Sequence, residues 1–411
     1  MGPQRTRAAL AALTGAFALS QFFRSCLAVV APELQRDLEL SPAGFGALSS
    51  AFFLAFAVAQ LPVGIAFDRH GVGRPTALLL VAGIFGGALF AAAPGGGTAL
   101  VAQAALGVAC APVYMGLIHY ASENLPAAGF ARALGTSSAI GMLGALAAAA
   151  PLGWAAAAFG WRVPMVVATL GIAGACAAVF LLVHDSGHAE ARAESPAAAL
   201  RGCARLLRSG PLWCLVPLCL AMAAGTSFRN AWGGPYFAEV FRLGTVQRGY
   251  AITAVTLVAF SVAFLLPVLV RRWTLKTAVL RWSGLALAAA ALLALLPGVA
   301  LLPDLLLLAL LSSLGMLHPL VMSHGRDLVP PALRGRGLGL LNTFVFFGSA
   351  VGSAGFGWIA DLGAARGWPA ATTFGWIFAT AAAVVLCGIV PYVFSPLTAR
   401  RDGTAAAQDG G

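Results

Sequence analysis

The stretch Gly64-Ile-Ala-Phe-Asp68-Arg69-His-Gly71-Val-Gly73-Arg74 decides how this chain folds. It is a short charged reversal set between two long apolar runs. Its glycines permit a tight turn. Asp68 is placed to cap the next helix or to ion-pair with an arginine of the loop, and Arg69 and Arg74 hold the turn at a polar surface. Outward from it, segments of roughly 20 apolar residues, the length of a membrane-spanning helix, recur near 10–31, 43–65, 76–94, 98–121, 133–153, 162–183, 212–235, 249–270, 278–297, 301–322, 338–358 and 369–394. They predict twelve transmembrane helices, an all-α polytopic membrane protein.

Composition agrees. Hydrophobic residues make up 60% of the chain and charged ones 9%, with a mean hydropathy of +0.88. A water-soluble domain needs far more polar surface than that. The net charge of +11 invites a nucleic-acid reading, but its distribution excludes one. With the N-terminus inside, the inner segments carry 18 Arg and Lys and the outer loops only Arg36, Arg162, Arg242, Arg248 and Arg366. That asymmetry places both termini in the cytoplasm. The basic start and apolar run resemble a signal peptide, but the run is too long, contains Arg24 and is needed for an even helix count. The cysteines show no metal-ligand spacing and read as packing residues.

The long polar stretch, residues 185–210, divides the chain. It reads as a cytoplasmic linker between bundles of six helices over 1–184 and 211–398, with a cytoplasmic tail at 399–411. The halves repeat weakly at an offset near 205: Arg24 with Arg229, Arg132-Ala-Leu-Gly135 with Arg336-Gly-Leu-Gly339, His119 with His324, and Gly160-Trp161 with Gly367-Trp368. Two six-helix halves in parallel repeat are the architecture of the major facilitator fold.

The chain resembles the major facilitator superfamily throughout, and the opening loop is close to that family's G-x-x-x-D-R-x-G-R-R motif, with one extra residue before the last Arg. The resemblance implies a loop (Gly64, Asp68, Arg69, Gly71, Arg74) that latches the halves on the cytoplasmic side, and a cavity lined by helices 1, 4, 7 and 10. Arg24 then falls on helix 1, His119 on helix 4, Arg229 on helix 7 and His324 on helix 10.

A charge near the bilayer centre costs about 2.5–3.5 kcal/mol on insertion scales, so it rarely lies there without a task. Two arginines facing one chamber repel each other until an anion bridges them, and guanidinium forks suit carboxylate or phosphate oxygens. The alternative is that each reaches toward Glu33 or Glu239, nine and ten residues on, about 14 Å along a helix and too far for a direct pair. Gln21, Asn230, Trp232 and Tyr236, with Ser25, Thr226 and Ser227, lie within a turn or two of the arginines as candidate ligand contacts. His119 and His324 are candidates for gating or proton coupling. The fourteen carboxylates all fall outside predicted helix cores, which disfavours cationic substrates.

Within the superfamily the arginine pair resembles the organophosphate:phosphate antiporters. Ala31-Pro32-Glu33-Leu34 and Gln60-Leu-Pro-Val-Gly64 are similar to the anion:cation symporters of organic acids. From the latter the chain departs in having Phe23 where they carry an aspartate and Gln103 nearest their helix 4 arginine. His318 and Met322, at i and i+4, present two soft ligands with no second pair facing them, so no metal site is expected, and no cofactor. The glycines of helices 5 and 11 read as close packing.

The sequence thus predicts a bacterial inner-membrane secondary transporter, acting as a monomer in the lipid bilayer on a small organic or phosphorylated anion. The alternatives are an exporter of amphipathic compounds and a non-transporting membrane sensor with the same fold. No nucleophile, base and orienter occur together, so no enzyme is expected.

Overall fold

The computed structural model describes residues 3–184, 206, 210–330 and 333–396. Most of the 185–210 linker and the 399–411 tail lie outside the described residues. Eleven apolar helical spans and one bent pair cross the molecule: α1 (Gln4–Ser25 with Leu27–Asp37), α2 (Pro42–His70), α3 (Gly73–Ala91), α4 (Gly96–Asn124), α5 (Ala128–Phe159), α6 (Arg162–Leu182), α7 (Gly210–Glu239), α8 (Thr245–Arg272), α9 (Leu275–Leu295), α10 (Leu301–Leu328), α11 (Arg336–Ala365) and α12 (Ala370–Val393). The first and last spans begin and end on one side, the termini side; the opposite face is the far side.

The α2–α3 reversal needs only Gly71 and Val72, with Gly71 at φ 70°, a conformation that favours glycine. Asp68, Arg69 and Arg74 are exposed there and Gly64 is half-buried.

Several spans break near mid-depth. α1 bends by 51° at Cys26. α7 contains a π-turn at Phe228–Trp232, closed by Gly233 N–H on the Phe228 carbonyl. α10 tightens into a 3₁₀ segment at Ser313–Leu317. Pro32 and Pro235 stand on the far side of the first two breaks. Each lacks an N–H, so the carbonyls of Ala28 and Ala231, four residues earlier, lose their ordinary donors and the helix distorts. Gly234 of α7 lies against the Ala28 carbonyl, so close that a Cβ would strike it.

The two halves meet chiefly in the far-side portions of α1 and α7, α5 and α8, and along α2 and α11. Close approach uses small residues. A Cβ on Gly153 would lie 2.9 Å from the Thr245 carbonyl, and one on Gly46 2.7 Å from the Ser353 carbonyl. On the same side Glu33 of α1 accepts from Arg248 and Thr245 of α8, both at 2.5 Å. Arg248 also donates to the carbonyls of Val29 (3.3 Å) and Leu243 (3.1 Å). Arg248 is 4% exposed; it is a clasp between halves rather than a loop charge. On the termini side, by contrast, Gln4–Ser25, the first part of α5 and the last part of α10 pack chiefly within their own halves. The far side is closed.

One carboxylate corrects the sequence reading. Asp304, in the first turn of α10, is 2% exposed. It accepts from the Tyr236 hydroxyl and from Gly298 N–H at 2.8 Å. The start of an apolar run looks like a surface position in sequence, but the α9–α10 turn folds over it. Trp161, at the far-side start of α6, is also buried, and its indole donates to Asp37 at 3.0 Å.

Two outcomes follow. With spin labels on Ala92→Cys and Val299→Cys, on a background lacking native cysteines, Gly153→Leu should lengthen the far-side distance between halves relative to the parent; an unchanged distribution would show that this contact does not hold the side closed. Tyr236→Phe should lower unfolding stability by about 1.5–3 kcal/mol, the worth of a hydrogen bond to a charged group, in thermal or denaturant unfolding.

Candidate functional site

Arg24 and Arg229 sit at the breaks in α1 and α7. Between these helices Ser25 Oγ donates to Asn230 Oδ1 at 3.2 Å. These two residues are 205 apart, one repeat length, so the pseudo-two-fold axis passes between them. Each arginine is the neighbour of one of them and lies within the electrostatic reach of the other arginine.

Both guanidinium groups rest on aromatic faces. Arg24 Cζ lies 4.9 Å from the Phe56 ring centroid (α2) and 5.0 Å from that of Phe346 (α11). Arg229 Cζ lies 4.8 Å from the Phe260 centroid (α8). Phe56 and Phe260 stand one repeat apart, so each arginine uses the equivalent shelf. A cation over an aromatic face gains roughly 0.5–2 kcal/mol, which offsets part of its desolvation and leaves the N–H edge free. Arg229 is 7% exposed, with Nε and Nη1 buried and without a protein acceptor; Arg24 Nε is likewise buried and unpartnered. Among the described residues no carboxylate pairs with either. Glu33 is committed to Arg248, and Glu239 ends α7. Such an arrangement can take the oxygens of an anion at two forks.

The remaining predicted residues separate into two groups. Gln21 lies one turn before Arg24, its Oε1 buried and unpartnered, and Asn230 is at the axis. Trp232 donates from its indole to Ser353 of α11, in its own half, at 3.0 Å and stands edge-on to Phe45 of α2 in the other half. Tyr236 is two turns away, bonded to Asp304 in the far-side network, and is not brought to the arginines. Neither predicted histidine reaches them. His119 lies at the termini end of α4, its Nε2 3.2 Å from Glu123 Oε1. His324, at the termini end of α10, has both ring nitrogens engaged, Nδ1 with the Tyr392 hydroxyl at 2.7 Å and Nε2 with the Pro396 carbonyl at 3.0 Å. Both lie within five residues of their helices' termini-side ends, Asn124 and Leu328.

The histidine beside the arginines is His318, at the end of the 3₁₀ break in α10. It pairs with Asn342 of α11 at 3.1 Å rather than with Met322, and Asn342 donates to Gln60 of α2 at 3.3 Å. A signal for these residues exists in sequence: Phe56 with Gln60 and Asn342 with Phe346 are i,i+4 pairs of one aromatic and one amide.

Known proteins agree with this architecture. The profile described as Major Facilitator Superfamily matches residues 13–353. A hexuronate transporter of Bacillus subtilis (strain 168) is 28% identical over 145 residues, 35% of this chain and 34% of that protein, so the match spans about a third of the relative's length. Among solved structures the chain is similar to the nucleoside transporter NupG (TM-score 0.74, 14% identity, covering 94% of this chain and 99% of that one). It is similar also to a D-xylose-proton symporter (TM-score 0.74, 15%, 95% and 98%). A third likeness is a bacterial homolog of the human lysosomal transporter Spinster (TM-score 0.72, 16%, 96% and 97%). At these identities the structures speak for the fold; with the profile spanning most of the sequence, the chain belongs to the Major Facilitator Superfamily and is a multi-pass membrane protein of that fold.

Proposed function

We propose that this chain is a secondary transporter of a small organic or phosphorylated anion, bound between α1 and α7 by Arg24 and Arg229. One observation carries the reading: two buried guanidinium groups face one axis with N–H edges that no described side chain accepts. An anion bridging them offsets both the lost hydration and the mutual repulsion, and its oxygens match the forks. Gln21 and Asn230 stand close enough to assist. A hexuronate is itself a carboxylate, so the name of the Bacillus subtilis relative favours the same class.

The positive-inside asymmetry supports a cytoplasmic termini side, in keeping with the bacterial inner membrane expected from sequence. With the far side closed, the site faces inward. Bound anion draws the halves together, and rocking about the Ser25–Asn230 axis exposes it outward. The exposed Asp68, Arg69 and Arg74 latch the inner side when it closes, with Gly64 and Gly71 giving the loop its shape. Without anion the facing cations oppose that approach, which favours exchange over uniport.

Thermal stability of the purified protein tests this, with D-glucuronate, glycerol 3-phosphate, inorganic phosphate and matched cations as probes. A ligand specific for the folded state stabilises by about 2.7 kcal/mol at one hundred times its dissociation constant. Stabilisation by one of the anions is expected in wild type and lost in both Arg24→Gln and Arg229→Gln. If cations or neutral lipophiles alone stabilise, and both variants respond like wild type, the arginines are structural.

A further inference from the structure

The hydrogen-bond chain through Gln60, Asn342 and His318 links both halves beside Arg24, and its direction can be read from one end. Gln60 Nε2 donates to the Ala111 carbonyl at 3.4 Å, an oxygen that only accepts. Gln60 therefore turns Oε1 toward Asn342, whose Nδ2 donates to it at 3.3 Å. Asn342 in turn presents Oδ1 to His318 Nε2 at 3.1 Å. Because that oxygen also only accepts, Nε2 carries the hydrogen. In the neutral ring Nδ1 is then a bare acceptor, and it has no partner among the described residues.

Position follows from helix geometry. Phe56 and Gln60 are one turn apart on α2, as are Phe346 and Asn342 on α11, and in both helices the amide is nearer the termini side. The chain therefore runs about 5.4 Å, one helical turn, from the level at which Phe56 and Phe346 hold the Arg24 guanidinium. His318 is half-buried and within the electrostatic reach of Arg24. A cationic ring would add a third positive charge to the site. Other charged groups on the elements around it are committed or distant. On α9, Lys276 holds the carbonyls of Val393 and Ser395, and Arg281 lies over Trp273. On α11, Arg334 and Arg336 precede Asn342 by six residues or more, and Asp361 follows it by nineteen. On α10 itself, His324 is bonded at both nitrogens, and Arg326 and Asp327 lie beyond it toward the end of the helix.

We propose that His318 Nδ1 accepts a hydrogen from a hydroxyl on the body of the anion, so that the site selects hydroxylated carboxylates over plain acids and dicarboxylates. This rests on the reading that Arg24 and Arg229 hold the carboxylate. A hydroxyl a few carbons away then lies at the level of the ring. A second carboxylate would set acceptor against acceptor, and an alkyl chain would leave the nitrogen unpaired; both are rejected by a site built around a hydrogen bond. Gln60 and Asn342 are positioning residues that fix the ring's tautomer.

The test compares dissociation constants for D-glucuronate, hexanoate and adipate, from ligand-dependent stabilisation of the full-length protein. His318→Leu should weaken glucuronate about tenfold, the worth of one hydrogen bond, and leave hexanoate unchanged. His318→Gln, which keeps an acceptor, should restore part of the loss. Gln60→Leu, which frees Asn342 to turn, should also erode the preference and keeps the test decisive if His318→Leu does not fold. Equal effects of these variants on glucuronate and hexanoate overturn the proposal while leaving the arginine reading intact, provided Arg24→Gln abolishes both. Proton uptake on glucuronate binding that His318→Leu lacks would make the ring a proton carrier and overturn it too. If none of the three stabilises wild type but glycerol 3-phosphate or inorganic phosphate does, the hydroxyl-acid selection fails and the arginine reading stands. If no anion stabilises wild type, both fall.

Discussion

Two like charges held near mid-depth without a counter-charge are the constraint on which the rest of this structure depends. Their repulsion and desolvation have to be borne by the fold, and the surroundings show how. Each guanidinium carbon lies over a phenylalanine ring, which stabilises the cation while leaving N–H groups unused. The helices that carry them are broken at the same place in each half, so both arginines start from a distorted turn beside the axis. Ser25 and Asn230 bridge the axis with a hydrogen bond that joins α1 to α7 at this level.

The pseudo-symmetry fails where the site needs chemistry. Arg24 has a second shelf, Phe346, whose counterpart in the register of Arg132 with Arg336 is Met142, not an aromatic residue. Gln60 on α2 answers Phe264 on α8, which is exposed to the bilayer side. The duplicated arginines thus sit in a symmetric frame, whereas the polar chain through Gln60, Asn342 and His318 lies on one side only. A site with two equal forks and one asymmetric hydrogen-bonding wall can bind a carboxylate symmetrically and still distinguish the two ends of the molecule that bears it.

Much of the fold was legible because a bilayer imposes long apolar runs and a basic inner face, and both survive in any sequence window. Every predicted span has a helical counterpart within a few residues. The arginine positions were legible for the same reason: a charge in such a run stands out. What periodicity could not supply was depth and partner. His119 and His324 lie on helices expected to line the cavity, but a further turn carries them to the termini end. His318 was read with Met322 as a soft-ligand pair, because sequence spacing sees neighbours on its own helix and not Asn342 across a gap of 24 residues. Asp304 and Arg248 were assigned to surfaces by position alone, whereas tertiary packing buries both.

Those two residues also explain how the charge of the whole molecule is arranged. Three of the described carboxylates, Glu33, Asp37 and Asp304, hold helices together on the far side. The middle keeps positive charge unopposed. The far side therefore closes by attraction that is present without ligand, while on the proposed reading approach of the halves around the arginines is resisted until an anion arrives. Opening the far side must break the Glu33–Arg248 pair and part the glycine contacts at Gly46, Gly153 and Gly234. Breaking a buried pair is costly when either partner is left uncompensated, so the outward step needs a compensating gain elsewhere. On the proposed reading the occupied centre is the source of it, since an anion there would convert repulsion between Arg24 and Arg229 into a shared attraction. On that reading, coupling between substrate and conformational change requires no dedicated switch residue, only helix-binding carboxylates on the far side and none beside the arginines among the described residues.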